Sequence, residues 1–235
     1  MKELREKAFA FCGRDPVYYQ NFCAVLDRPG TQVLWAGADG LLVHEKESGA
    51  WMAAAETDQA AREVAGNIPD GADLFTVQGE ALLPVLRGRF SLTGMQRCVQ
   101  AVYPSHTAPP SLYRTAIRPV RLEEADFVAR HYHAMDDADY VFRRIEQGRM
   151  LGVEIGGTLA GFIGWHEEGA IGLLEVLPAY RRRGLAYELE AAAIAESLRR
   201  GEIPFAHIVT DNRASLALQK KLGMIWRERD FYWLF

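Results

Sequence analysis

The stretch Leu173-Leu174-Glu175-Val176-Leu177-Pro178-Ala179-Tyr180-Arg181-Arg182-Arg183-Gly184-Leu185-Ala186 constrains this chain more than any other. An apolar run carrying one acid meets a proline-bounded turn, three arginines and a glycine. Beyond the glycine, Leu185, Leu189, Ala192 and Ala193 recur at helical spacing. Glu196 falls on the same line, so the buried stripe is expected to stop before the helix does. Arg199 and Arg200 suit the negative end of the helix dipole, and Gly201 supplies the stop. The stretch predicts strand, tight turn, helix. A helix N-terminus leaves N–H groups unpaired and carries about half a positive charge, which together receive anions. Glycine at that end lets a diphosphate approach the backbone closely. Three arginines at a helix start also suit a solvated surface turn, and the dipole slightly disfavours them there.

The order of features separates these two possibilities. Strand, Arg181-x-x-Gly184-x-Ala186 and amphipathic helix form one continuous unit, followed by a strand over 205–210. Asn212, Ser215, Lys221, Leu222 and Gly223 then lie on one capped helix that ends in glycine. Together these residues resemble the two signatures of the GNAT N-acyltransferase superfamily, Arg/Gln-x-x-Gly-x-Gly/Ala and Asn-x-x-Ser/Ala followed by Lys-x-Gly. Met224 stands where the second signature usually has an aromatic residue. The resemblance covers about residues 112–235.

At 235 residues the chain has room for one large domain or two smaller ones. Pro104-Ser105-His106-Thr107-Ala108-Pro109-Pro110 is stiff and poor in core-forming residues, and it marks the joint. Domains over 1–106 and 112–235 are therefore expected. In the first, helices (the second over 16–28) precede a hairpin over 31–44 with Asp39-Gly40 in its turn. Strands over 50–55, 74–77 and 95–103 alternate with helices over 58–65 and 80–86. In the second, a strand over 112–120, helices over 123–133 and 139–147, and a meander over 150–177 precede the opening stretch. A strand over 226–235 then completes the second sheet. The fold class is α/β (α+β), with a mixed, mostly antiparallel sheet flanked by helices in each domain.

The element order of the first domain resembles a degenerate GNAT domain, as in the glycine N-acyltransferase-like branch. Its counterpart of the anion turn reads Ala55-Glu56-Thr57-Asp58-Gln59, with two acids where a phosphate belongs, so no CoA site is expected there.

A net charge of −4 speaks against nucleic acid as a partner. No apolar run approaches ~20 residues, so no membrane span is expected, and the N-terminus lacks a signal-peptide core. Cys12, Cys23 and Cys98 are odd in number and without metal-ligand spacing, which suggests reduced thiols, a cytoplasmic protein and no metal.

The resemblance implies acyl transfer from acyl-CoA, usually acetyl-CoA, to a primary amine by direct attack. It implies that Glu175, Val176 and Leu177 offer backbone groups to the pantetheine arm. The N–H groups around Arg181, Arg182, Arg183, Gly184, Leu185, Ala186 and Tyr187 then hold the diphosphate. Asn212 and Ser215 border the pantetheine, and Lys221 meets a phosphate. An alkylamine with a pKa near ~10 must lose a proton before attack, and Glu175 and His207 are the two candidate bases. Each has an ordinary alternative: solvent exposure or an ion pair with an arginine for Glu175, a satisfied sheet position for His207. Gln219 stands where many relatives place a tyrosine that protonates the leaving thiolate. Tyr132, His133 and Asp136 fall in the segment that lines the acceptor pocket of this fold, although acids before a helix, as Asp136 and Asp137 are, more often simply cap it. The expected substrate is a small amine or amino acid, and homodimerisation is compatible with this. Non-catalytic acyl-CoA sensing and protein N-acetylation are the alternatives.

Overall fold

A computed structural model describes residues 2–111, 116–132 and 137–235. The chain divides into two units: Met1–Val102 with His207–Arg213 and Ile225–Phe235, and Tyr103–Ala206 with Ala214–Met224. Residues 207–213 and 225–235, placed by sequence in the second domain, thus belong with the first unit.

The first unit begins with α1 (Lys2–Cys12) and α2 (Gln20–Val25), followed by β1 (Gln32–Ala36), β2 (Gly40–His44) and β3 (Trp51–Ala55). Then come α3 (Asp58–Gly66), β4 (Phe75–Gln78), α4 (Leu82–Arg89) and β5 (Met95–Val102). The helix expected over 16–28 is cut to α2, because the Asp15 carboxylate accepts the Tyr18 N–H at 3.2 Å and holds a turn first. Strands β1, β2 and β3 form an antiparallel meander, and β4 runs parallel to β3 across α3. Leu42, Ala53 and Ala55 pack with Ala60, Val64 and Leu86 on one face. Leu41, Val43, Met52 and Ala54 pack with Phe11, Phe22 and Val25 on the other. A sheet covered on both faces needs unbroken apolar strands, which explains the run over 50–55.

The second unit holds β6 (Ile117–Pro119), α5 (Ala125–His131), α6 (Ala138–Glu146), β7 (Met150–Ile155), β8 (Thr158–Trp165) and β9 (Ile171–Val176). α7 (Leu185–Arg199), β10 (Phe205–Val209) and α8 (Arg213–Leu222) follow, the units dividing β10 and α8 near their ends. Strands β6 to β9 pair antiparallel, and β10 pairs with β9 in parallel across α7 at Ala206↔Ile171. The helix expected over 123–133 is a 3-10 turn, Leu122–Glu124, followed by α5. Val128, Tyr140, Val141 and Ile145 pack on Met150, Phe162 and Leu173. On the other face the Trp165 indole N–H donates to Ser197 Oγ of α7 at 2.8 Å. The joint is fastened to α7, since Ser111 Oγ donates to Glu188 at 2.5 Å and Tyr187 Oη to the Pro110 carbonyl at 3.2 Å.

The last strand, β11 (Phe231–Leu234), lies between β4 and β5 and pairs antiparallel with both. It therefore completes the first unit's sheet, not the second's as its place in the sequence suggests. Its side chains account for this. Tyr232 and Leu234 join the core against α3 and α4, and Trp233 packs toward the core against α1 and α2. The Phe235 carbonyl accepts the Thr93 and Gly94 N–H groups at 2.8 and 2.6 Å.

The architecture is thus a mixed α/β fold, mostly antiparallel, with flanking helices. Among the described residues no helix is long and apolar enough to cross a membrane. Cys12, Cys23 and Cys98 form no disulfide.

Candidate functional site

The site is built on β9 and the turn that leaves it. β9 is irregular: Phe162 pairs with Glu175 and Gly164 with Gly172, so one residue of β8 faces both Leu173 and Leu174. Leu173 takes the left-handed conformation, φ 53, in this bulge. Such backbone costs on the order of 1–3 kcal/mol and persists where the surroundings enforce it. Ala206↔Ile171 is the single register pair with β10, so Gly172 to Val176 have no strand partner on that edge among the described residues. Gly161 permits the tight packing behind, because a side chain there would lie 2.8 Å from the Glu175 carbonyl.

After the 3-10 turn Pro178–Tyr180, Arg182 (φ 61) and Gly184 (φ 79) are both left-handed. Gly184 caps α7 without a side chain, leaving the first-turn N–H groups of a 15-residue helix without a side-chain acceptor from the cap. A positive φ suits glycine and strains any other residue. The backbone therefore runs, as the sequence suggests, from a strand edge through a tight turn to a helix end whose cap supplies no side-chain acceptor.

The arginines divide their tasks. Arg181 turns back to β9, where Nη2 lies 3.0 Å from Glu175 Oε1 and Nε donates to the Val176 carbonyl at 2.9 Å. Arg183 donates to the Ala179 carbonyl at 3.1 Å and lies over the Tyr180 ring. Arg182 is exposed. Leu185 is buried, Ala186 half-buried, and Lys221 sits over the Tyr187 ring, with Nζ 4.9 Å from its centre. Ser215 is half-buried on α8. Leu177 follows the strand, its N–H donating to the Ala160 carbonyl at 3.0 Å.

Tyr132 packs edge-on against Phe162, the β8 partner of Glu175. Burial, and then the negative Glu175, push its phenol up to about 12. The structure thus brings Tyr132 and Glu175 together, whereas His133 and Asp136 lie outside the described residues. His207 and Asn212 belong to the first unit. The Trp233 indole N–H donates to His207 Nδ1 at 3.3 Å, and Nε2 faces Gln100 Oε1 at 3.3 Å. Trp only donates, so the proton sits on Nε2 and both ring nitrogens are engaged. Asn212 is exposed and its N–H donates to the Val209 carbonyl at 2.9 Å.

Sequence reasoning missed a buried polar pair in the second unit. Gln219 Nε2 donates to Glu190 Oε1 at 2.6 Å, and Glu190 is pushed up to about 7 by burial, which outweighs the hydrogen bond from Gln219. No sequence pattern pointed to it: the stripe from Leu185 to Ala193 leaves Glu190 aside, whereas α7 is buried nearly all round, Glu190 included. A surface depression of 630 Å3 in the first unit, lined by Lys7, Phe11, Arg14 and residues 36–39, contains none of the candidate residues.

Residues 151–234 match the family model described as FR47-like protein. Among solved structures, the chain is similar to a Drosophila protein at 19% identity and a TM-score of 0.68, covering 100% of this chain and 96% of that chain. It is also similar to a GCN5-related N-acetyltransferase from Kribbella flavida at 12% identity and a TM-score of 0.56, with 95% of each chain covered. A tandem GNAT protein from the clavulanic acid biosynthesis pathway matches at 12% identity and a TM-score of 0.51, covering 100% of this chain and 95% of that chain. Curated protein sequences contain no match. At these identities the likeness defines the fold, which is that of GNAT acetyltransferase structures.

Proposed function

We propose that the second unit binds acyl-CoA, with acetyl-CoA as the simplest donor, and transfers the acyl group to the primary amine of a small molecule or amino acid. The observation that carries this is the continuous path from the unpaired edge of β9 to the uncapped N-terminus of α7 at Gly184. An extended pantetheine arm suits the first and a diphosphate the second. The amine nitrogen attacks the thioester carbonyl, and a backbone N–H of the bulged strand stabilises the oxyanion, a contribution typically of about 3 kcal/mol. Collapse forms the amide and expels the CoA thiolate. Glu175, directly or through water, takes the proton that the amine releases. Gln219 is bonded inward to Glu190, so the thiolate takes its proton from water.

The first unit repeats the strand–helix–strand crossover as β3, α3 and β4. There, Thr57 caps α3 by accepting the Ala60 N–H at 3.2 Å, and Asp58 sits in the first turn. This supports a degenerate copy without a CoA site, as in the glycine N-acyltransferase-like branch, with domains near 1–106 and 112–235 as the ancestral parts. Non-catalytic acyl-CoA sensing is the second reading, favoured by Gln219 in place of a proton donor.

Thiol release from acetyl-CoA across an amine panel separates them. Amine-stimulated release that is lost on Gly184→Val is expected. CoA binding without stimulation by any amine supports sensing, and unchanged CoA affinity in Gly184→Val removes the basis for the site.

A further inference from the structure

We propose that Arg181 is a positioning residue shared in turn by Glu175 and the acyl-CoA diphosphate, so that acyl-CoA binding releases the base. This rests on the acyl-CoA site proposed above. The guanidinium bridges the Glu175 carboxylate at 3.0 Å and the Val176 carbonyl at 2.9 Å. Both belong to the strand that the pantetheine arm lines, and Arg181 itself opens the turn that leads to Gly184. One side chain therefore covers the base, touches the strand edge and stands beside the anion site. It cannot serve the carboxylate and a diphosphate with the same donors.

The exchange is physically cheap. The side chain of Arg181 is 56% exposed and that of Glu175 23%, and ion pairs this close to solvent are weak. A diphosphate offers more anionic oxygens than one carboxylate, set against the α7 N-terminus. Until it arrives, Oε1 of Glu175 is held by the guanidinium and is poorly placed to take a proton from an amine. Once Arg181 turns to the diphosphate, Glu175 faces Tyr132 and the acceptor side unpaired. Acyl-CoA is then the first substrate to bind productively, and amine deprotonation awaits the loaded site.

Calorimetric titration of CoA into the full chain tests this in a double cycle of Glu175→Gln and Arg181→Gln. Glu175→Gln should tighten CoA about three- to fivefold, the size of an exposed ion pair released. With Arg181→Gln already present, Glu175→Gln should change CoA affinity less than twofold. Arg181→Lys keeps the charge but cannot bridge both acceptors, and it should reduce the Glu175→Gln effect while preserving binding. Equal tightening in both backgrounds is simple removal of a negative charge and overturns the exchange, as does an unchanged or weakened affinity in Glu175→Gln alone. If the wild-type chain binds CoA and the cycle is additive, only the exchange falls. If the wild-type chain binds no CoA, the acyl-CoA site falls as well.

Discussion

Gln219 on α8 donates to Glu190 on α7 at 2.6 Å, with both side chains sealed from solvent at 2% exposure. The amide oxygen of Gln219 is buried and has no partner among the described residues. The position that a proton-donating tyrosine occupies in the resembled family is thus used to satisfy a buried acid. Gln219→Leu removes the donor. An unsatisfied buried acceptor costs about 1–3 kcal/mol, more when it is charged. Urea unfolding should show the larger loss at pH 8, where Glu190 ionises, and the smaller at pH 5. Equal losses at the two pH values would mean that Glu190 does not titrate between them.

Phe231 is fully buried in β11, between β4 and β5. Phe231→Ala should cost about 3–5 kcal/mol. Hydrogen exchange should then accelerate in Phe75–Gln78 and Met95–Val102, while Met150–Ile155 keeps its protection. Loss confined to the second unit's strands would contradict the placement of β11.

That placement shows where the sequence stops being informative. Of the strand expected over 226–235 the structure keeps Phe231–Leu234, and a strand's apolar alternation says which faces are buried, not which sheet receives it. The turn from β9 into α7 was legible because Gly184 and the residues around it must obey local backbone geometry. The bulge at Leu173 left no trace, since leucine gives no sign of a left-handed φ. The partnership of Glu190 with Gln219 depends on two helices meeting, which no local pattern encodes. For Glu175 the sequence left a catalytic role, solvent and an arginine partner open, and the structure pairs it with Arg181.

His207 accepts from Trp233 and faces Gln100, which in turn donates to the Val17 and Tyr18 carbonyls at 2.8 and 2.9 Å. His207→Ala should lower stability by about 1–2 kcal/mol, because the indole N–H loses its acceptor. In the acetyl-transfer assay it should keep the shape of the pH–rate profile, whereas Glu175→Gln should slow turnover at least ~10²-fold. A ~10²-fold loss in His207→Ala at unchanged stability would instead make the imidazole the base.

Two groups in the second unit should oppose each other in the pH dependence of stability. Glu190 is raised from an ordinary 4.5 to about 7 by burial, so the folded chain holds a proton that the unfolded chain has released. Between those values stability falls as pH rises, by about 3 kcal/mol in total at about 1.4 kcal/mol per pH unit. His166 is lowered from 6.5 to about 4, by burial and then by Arg144, and its Nδ1 lies 2.8 Å from Tyr140 Oη. Here the unfolded chain holds the extra proton, so stability is complete above 6.5 and is lost as pH falls toward 4. The two slopes overlap between 4.5 and 6.5 with opposite sign, and the wild-type chain should be nearly flat across that window. Glu190→Gln should uncover the His166 slope, with urea midpoints rising from pH 4.5 to 6.5. His166→Asn should uncover the other, with midpoints falling over the same interval and on to pH 7. The double variant should be flat again. Parallel curves for the wild-type chain and both single variants would show that neither group titrates differently in the folded and unfolded states.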